Sequence, residues 1–141
     1  MFAILDTDHF SAIDRDSAVA HNFHGRRREY AGELFISIIT VEEVMRGWLA
    51  LLGSKRKRQD EIAVYERMQH SAEMLAEWQI LPFDREALLH FERLKGARIK
   101  MSTLDMKIAS IALAYDATLL TRNLRDFLQV PALKVENWLD H

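Results

Sequence analysis

A chain of 141 residues, 49% of them apolar and 28% charged, can bury the core of one domain but is too short for two ordinary ones. The formal net charge of -2 excludes a general electrostatic pull toward nucleic acid, so such a function would depend on local patches. The absence of cysteine excludes disulfides, thiolate zinc sites and a cysteine nucleophile. No apolar run has the length of a signal peptide or a membrane span, so we expect a cytoplasmic protein without a membrane partner.

Short apolar runs alternate with helical patterns along the chain. The runs predict strands at 2–5, 35–39, 80–83, 118–121 and 133–137. The helical patterns cover 11–32, 41–52, 57–78 and the segments that follow Asp84 and Ser102. Thr40, directly after the second strand, is the expected N-cap of the helix that begins there. Strands joined through helices favour a three-layer α/β/α sandwich with a mainly parallel, five-stranded sheet, which we expect to form a single domain over residues 1–141.

Acidic and polar side chains follow the ends of several predicted strands. They are Asp6, Thr7 and Asp8 after the first strand, Thr40, Glu42 and Glu43 after the second, Asp105 in the helix before the fourth, and Thr121, Asn123 and Asp126 after the fourth. The carboxyl ends of parallel strands meet at one sheet edge, where ligands bind. Clustered carboxylates repel one another, and an oxygen-only set without sulfur favours magnesium or manganese over zinc. Each acid taken alone is better explained as a helix cap or a first-turn acid, and the site prediction depends on the whole set converging.

Basic residues flank these acids. Six lie close in sequence to the acidic segments: Arg46, Arg98, Lys100, Lys107, Arg122 and Arg125. Two denser basic runs occupy 26–28 and 55–58. All of them can attract phosphate. Ordinary surface ion pairing is the better explanation of each single residue, and a solvated helix start or loop is the better explanation of each run. His9 is interpreted as a turn residue rather than a general base.

Four short motifs occur in order along the chain. They are an I-L-D-T opening at 4–7, T-V-E-E-V-M-R-G at 40–47, D-M-K-I-A-S-I-A at 105–112 and T-R-N-L-R-D-F at 121–127, and V-P-A-L-K-V-E-N-W follows at 130–138. Together they resemble the PIN-domain family and, within it, the VapC-type toxin ribonucleases of bacterial type II toxin–antitoxin pairs. The segment before Asp105, R-I-K-M-S-T-L at 98–104, departs from relatives, which often carry glycine there.

The resemblance implies a metal-dependent endoribonuclease toxin that hydrolyses RNA phosphodiester bonds with a metal-activated water. Carried over by position, Asp6, Glu43, Asp105 and Asn123 become the catalytic set, with Asp6 and Asp105 as ligands of Mg²⁺ or Mn²⁺. Asp126, the nearest carboxylate, remains the alternative to Asn123 at the fourth position. Supporting or substrate-contacting roles fall to Thr7, Asp8, Thr40, Thr121, Arg122 and Asp126. Within this group Asp8 is expected to be a helix cap or an outer neighbour of the site. The implied partners are RNA, a cognate antitoxin protein and a second copy of the chain.

Two other functions remain compatible with the sequence. One is a catalytically weak PIN-fold module that binds RNA or protein, which the uncharged Asn123 at the fourth position favours. The other is a magnesium-dependent hydrolase of a different phosphoester. Glu42, the neighbour of Glu43, is expected to be solvated or salt-bridged.

Overall fold

The computed structural model describes residues 1–54 and 57–140. Its centre is a sheet of five strands: β1 (Phe2–Leu5), β2 (Glu33–Ser37), β3 (Ile80–Leu81), β4 (Thr118–Leu120) and β5 (Lys134–Glu136). The strand order is β3-β2-β1-β4-β5, and every neighbouring pair is parallel. This arrangement confirms the predicted parallel five-stranded sheet and places β1 at its middle.

Helices connect the strands. They are α1 (Thr7–Asp14), α2 (Ala20–Glu29), α3 (Ile38–Gly53), α4 (Glu61–Ala76), α5 (Arg85–Gly96), α6 (Thr103–Ala114) and the short α7 (Leu124–Phe127), with a 3₁₀ turn at Arg58–Asp60 before α4. Among the described residues no helix is both long and apolar enough to cross a bilayer. Lys55 and Arg56, half of the basic run predicted to attract phosphate, lie outside the described residues.

The strands send alternate side chains into two separate cores, because successive residues of a strand point to opposite faces. Ile4 of β1 belongs to the core beneath α5 and α6, to which these helices contribute Leu94 and Ile108. Its neighbours Ala3 and Leu5 belong to the core beneath α1, α2 and α4, with Phe10, Phe23 and Leu75 among its members. Helices therefore cover both faces of the sheet, as the three-layer prediction requires.

The predicted boundary between the second strand and its helix is wrong by two residues. β2 ends at Ser37, and Ile38 and Ile39 are helical although their β-branched side chains favour strands. The Ser37 hydroxyl accepts the backbone N–H of Thr40 at 3.4 Å and so takes the capping role predicted for Thr40. Thr40 consequently lies inside the first turn of α3, wholly buried.

Other boundaries also move. The segment 11–32, predicted as one or two short helices, contains two, and the first begins earlier than predicted, at Thr7 directly after β1. The helix predicted at 57–78 occupies Glu61–Ala76, and the strand predicted at 80–83 keeps only its first two residues. These shifts place β1 and α1 in direct sequence, with Asp6 as the junction.

Candidate active site

Asp6 lies at the junction of β1 and α1 and is fixed on both sides. Its backbone N–H donates to the carbonyl of Leu120 in β4 at 3.0 Å, and its side chain caps α1 by accepting the His9 N–H on Oδ1 at 2.9 Å. The capping role considered for Asp8 is thus wrong: Asp8 lies exposed in the first turn of α1. Every side-chain contact of Asp6 within the described residues uses Oδ1, which leaves Oδ2 for a ligand.

Thr7 joins the first acidic segment to the second. Its hydroxyl donates to Glu43 Oε1 at 2.7 Å and lies 3.1 Å from the hydroxyl of the buried Thr40. Glu43 is therefore turned toward the end of β1. Its neighbour Glu42 instead pairs with Arg46 at 2.6 Å, one turn along α3, as expected for a salt-bridged residue outside the site.

Asp105 lies in the first turn of α6, whose N-cap Ser102 accepts the Asp105 backbone N–H at 3.1 Å. Burial raises the pKa of Asp105 from 3.8 to about 6, against the opposing effect of a hydrogen bond from Ser102. The charges of Glu43, Asp6 and Asp126 add to the rise in pKa. Acids from three other segments therefore lie close enough to Asp105 for their charges to act on it.

Thr121, Asn123 and Asp126 form a hydrogen-bonded corner after β4. The wholly buried Thr121 hydroxyl accepts the Asn123 backbone N–H at 2.9 Å, and Asn123 Nδ2 donates to Asp126 Oδ2 at 2.9 Å. Asn123 is thereby oriented by Asp126, and the negative charge at this corner belongs to Asp126.

Arg122 lies next to the acids and is held by the C-terminal segment. Its Nη2 and Nε donate to the two carboxylate oxygens of Asp140 at 2.7 and 3.2 Å. The hydrogen bond to Asp140 raises the pKa of Arg122, and the charges of Asp8 and Asp6 contribute to the same rise. Of the other basic residues, Arg46 is paired with Glu42 and Lys107 lies over the rings of Phe83 and Phe91.

The segment without glycine before Asp105 has a specific backbone feature. Arg98, two residues after the end of α5, has φ of 56°. This is the left-handed region, which glycine adopts without strain and arginine does not. The chain thus adopts this conformation at some cost in conformational energy, and α6 presents Asp105 from its first turn.

The side chains of the candidate site offer the type of donor atom that a divalent cation prefers. These atoms are carboxylate, amide and hydroxyl oxygens, which Mg²⁺ and Mn²⁺ prefer, and a cation would relieve the repulsion that raises the pKa of Asp105. In the described part of the chain, no three acidic or histidine side chains already form a group close enough to hold a metal ion. Side chains such as Asp6 and Asp105 would therefore have to close around a cation as it binds.

A cleft of about 340 Å³ opens beside the Thr7–Glu43 pair, between α1 and α3. Arg15 and Arg67 line it together with Trp48. No ion pair joins either arginine to another described residue. The two arginines and the aromatic ring share the cleft with two carboxylates, Asp14 and Glu43, and are the groups of its lining that could contact a single nucleic-acid strand.

Sequence reasoning missed His9 as a site residue. His9 is not a turn residue: it is helical, wholly buried, and its Nδ1 lies 3.3 Å from Asp6 Oδ1. The partner of its other ring nitrogen is Trp138, 129 residues away, so no local pattern could have found it.

The raised pKa of Asp105 predicts a pH-dependent gain from Asp105→Asn. The folded state binds this proton more tightly than the unfolded state, so the carboxyl costs stability as pH rises from about 4 through about 6. In chelator at about pH 7.5, Asp105→Asn should raise the free energy of unfolding by about 1 kcal/mol, less than the shift alone implies because solvent screens this half-buried group. Urea titrations at about pH 4 should show the gain vanish. An equal gain in the free energy of unfolding at both pH values would show that the effect does not come from the raised pKa of Asp105.

Comparison with known proteins identifies the family of the chain. The family model described as the PIN domain matches residues 3–133. Ribonuclease VapC1 of Rickettsia felis is 28% identical over 139 residues, covering 96% of this chain and 95% of the relative. Ribonuclease VapC2 of Haemophilus influenzae is 31% identical over 120 residues, covering 81% of this chain and 82% of the relative.

Solved structures share the fold over nearly the whole chain. VapBC2 from Rickettsia felis, bound to a DNA fragment from its promoter, gives a TM-score of 0.73 at 25% identity, covering 98% of this chain and 99% of that one. DNA-bound VapBC from Salmonella typhimurium gives 0.77 at 22% identity, covering 98% of both chains. The chain therefore belongs to the PIN-domain family, and its relatives there are VapC ribonucleases.

Proposed function

We propose that this protein is a metal-dependent endoribonuclease and the toxin of a toxin–antitoxin pair, acting in the cytoplasm. The observation that carries the proposal is the meeting of the acidic segments: Thr7, next to Asp6, donates to Glu43 Oε1 at 2.7 Å, and the charges of Glu43, Asp6 and Asp126 act on Asp105. The names of its VapC relatives support RNA as the substrate. When bound, Mg²⁺ or Mn²⁺ would supply a Lewis acid that activates water and offsets charge on the phosphodiester.

Each residue of the proposed set has a distinct task. Asp6 and Asp105 would bind the cation through carboxylate oxygens. Glu43, held by Thr7, would accept a proton or orient water at this edge. Asn123 would complete the set with its amide oxygen, since its Nδ2 is committed to Asp126.

We also propose RNA, an antitoxin and a second copy of the chain as partners. The solved relatives named VapBC support the antitoxin. Exposed apolar residues on α3, such as Met45 and Leu49 with 52% and 60% of their surface exposed, support protein partners in general. A short gene directly upstream that encodes a DNA-binding domain would support the antitoxin assignment further.

Cleavage of a labelled hairpin RNA tests the proposed activity. We expect cleavage with Mg²⁺ or Mn²⁺, none with excess chelator, and recovery when the cation is restored. Single-stranded DNA and a small aryl phosphate, assayed in parallel, separate a ribonuclease from a hydrolase of another phosphoester. RNA binding without cleavage under every cation condition would overturn the proposal in favour of a binding module.

A further inference from the structure

His9 connects two distant parts of the chain inside the core. It is the third residue of α1 and has no exposed surface. Its Nε2 accepts the backbone N–H of Trp138 at 3.2 Å. Because that nitrogen accepts a hydrogen bond, the neutral ring carries its proton on Nδ1.

The protonated nitrogen faces the first acid of the site. Nδ1 lies 3.3 Å from Asp6 Oδ1, the oxygen that also accepts the His9 backbone N–H at 2.9 Å. Nδ1 has no hydrogen-bond partner among the described residues, although it lies close to Asp6 Oδ1. A small rotation of either side chain would let the Nδ1–H group donate to that oxygen when a ligand binds. The backbone N–H of His9 thus donates to Asp6 Oδ1, and the ring nitrogen Nδ1 lies close to the same oxygen.

The other end of this connection is firmly anchored. Trp138 is 3% exposed, and its ring lies 5.7 Å from Phe23 and 5.2 Å from Tyr30 between centroids. The next residue, Leu139, accepts a hydrogen bond from Asn22 Nδ2 at 2.6 Å. The Trp138 N–H is therefore held in place by packing against α2, and it fixes the plane of the His9 ring.

We infer that His9 is a positioning residue that holds Asp6 Oδ1, so that Oδ2 faces an incoming divalent cation, and that segment 137–140 is part of the site through it. The inference rests on the proposed function. The outer hydrogen bonds of metal-binding side chains typically change metal affinity by about 10–100-fold when they are removed. His9 would change the metal affinity by a factor of this size through Asp6, without contacting the metal or RNA itself.

Mn²⁺ titration by calorimetry on three variants tests the inference. His9→Phe keeps the ring volume but removes both nitrogens, and we expect Mn²⁺ affinity to fall by about tenfold or more. His9→Gln keeps one donor and one acceptor, and should recover most of that loss. Phe10→Leu is the matched control: it lies in the same helix and is equally buried, so it should lower thermal stability while leaving Mn²⁺ affinity unchanged.

Nitrogen NMR of the imidazole supplies a second readout that does not need a folded His9→Phe variant. In the wild type we expect a protonated Nδ1 and an unprotonated Nε2. The Nδ1 resonance should shift when Mg²⁺ is added in the absence of Mn²⁺, and it should also shift in Asp6→Asn. A resonance unaffected by both, or wild-type affinity in His9→Phe, would overturn the role of His9 while the proposed ribonuclease stands. A wild type that binds no divalent cation would overturn both.

Discussion

Asp6→Asn should lower metal-dependent RNA cleavage by about a thousandfold, equivalent to about 4 kcal/mol of transition-state stabilisation. Asparagine is as good an N-cap as aspartate and can still accept the His9 N–H, so the start of α1 should survive. What the variant loses is one negative charge on the proposed cation ligand. Single-turnover cleavage of the hairpin RNA, with thermal unfolding measured on the same sample, separates chemistry from folding.

Asp84→Asn is the matched control for this prediction. Asp84 caps α5 in the same manner, accepting the Ala87 N–H at 3.1 Å, but it is exposed and is not among the acids that act on Asp105. We expect it to cleave RNA at the wild-type rate. If Asp6→Asn kept more than about a tenth of the wild-type rate, the Asp6 carboxylate would not be part of the reaction centre.

Leu120→Ala should have the largest effect on stability. Leu120 is wholly buried at the end of β4, beside the central strand, in the core that includes Leu5 and Phe10. Truncation removes apolar contacts and leaves a cavity, so we expect a loss of about 3 kcal/mol and a fall in melting temperature of about 10 °C. Urea and thermal unfolding at neutral pH measure both quantities.

The backbone carbonyl of Leu120 accepts the Asp6 N–H, and the substitution leaves that carbonyl in place. Cleavage well below the melting temperature should therefore persist in Leu120→Ala. Leu128→Ala, at a leucine with 67% of its surface exposed, is the control and should change stability by less than about 0.5 kcal/mol. Equal losses in the two variants would contradict the assigned core.

The sheet was predictable because each strand is a short apolar run between helical patterns. Parallel order followed from the connections, and the carboxyl ends of β1, β2 and β4 then had to share an edge. The boundaries were less predictable because local hydrogen bonds decide them. Ser37 outcompetes Thr40 as the cap of α3, and Ile38 and Ile39 become helical despite their β-branched side chains.

The sequence was enough to propose the acids of the site but not to predict their individual geometry. Which of Asp6 and Asp8 caps α1 depends on where the helix begins, a difference of two residues that periodicity does not resolve. The contact between His9 and Trp138, and the pair formed by Arg122 and Asp140, join residues that only the folded sheet brings together. The C-terminal motif at 130–138 could therefore be recognised in the sequence, but its contacts with the site residues could not be predicted.

The central claim is that these carboxylates form one divalent-cation centre. Crystals soaked in Mn²⁺ and measured at the manganese absorption edge test it most directly. We predict an anomalous peak within about 2.0–2.6 Å of carboxylate oxygens of both Asp6 and Asp105. A map from fully soaked crystals with no peak between these two residues would contradict the account.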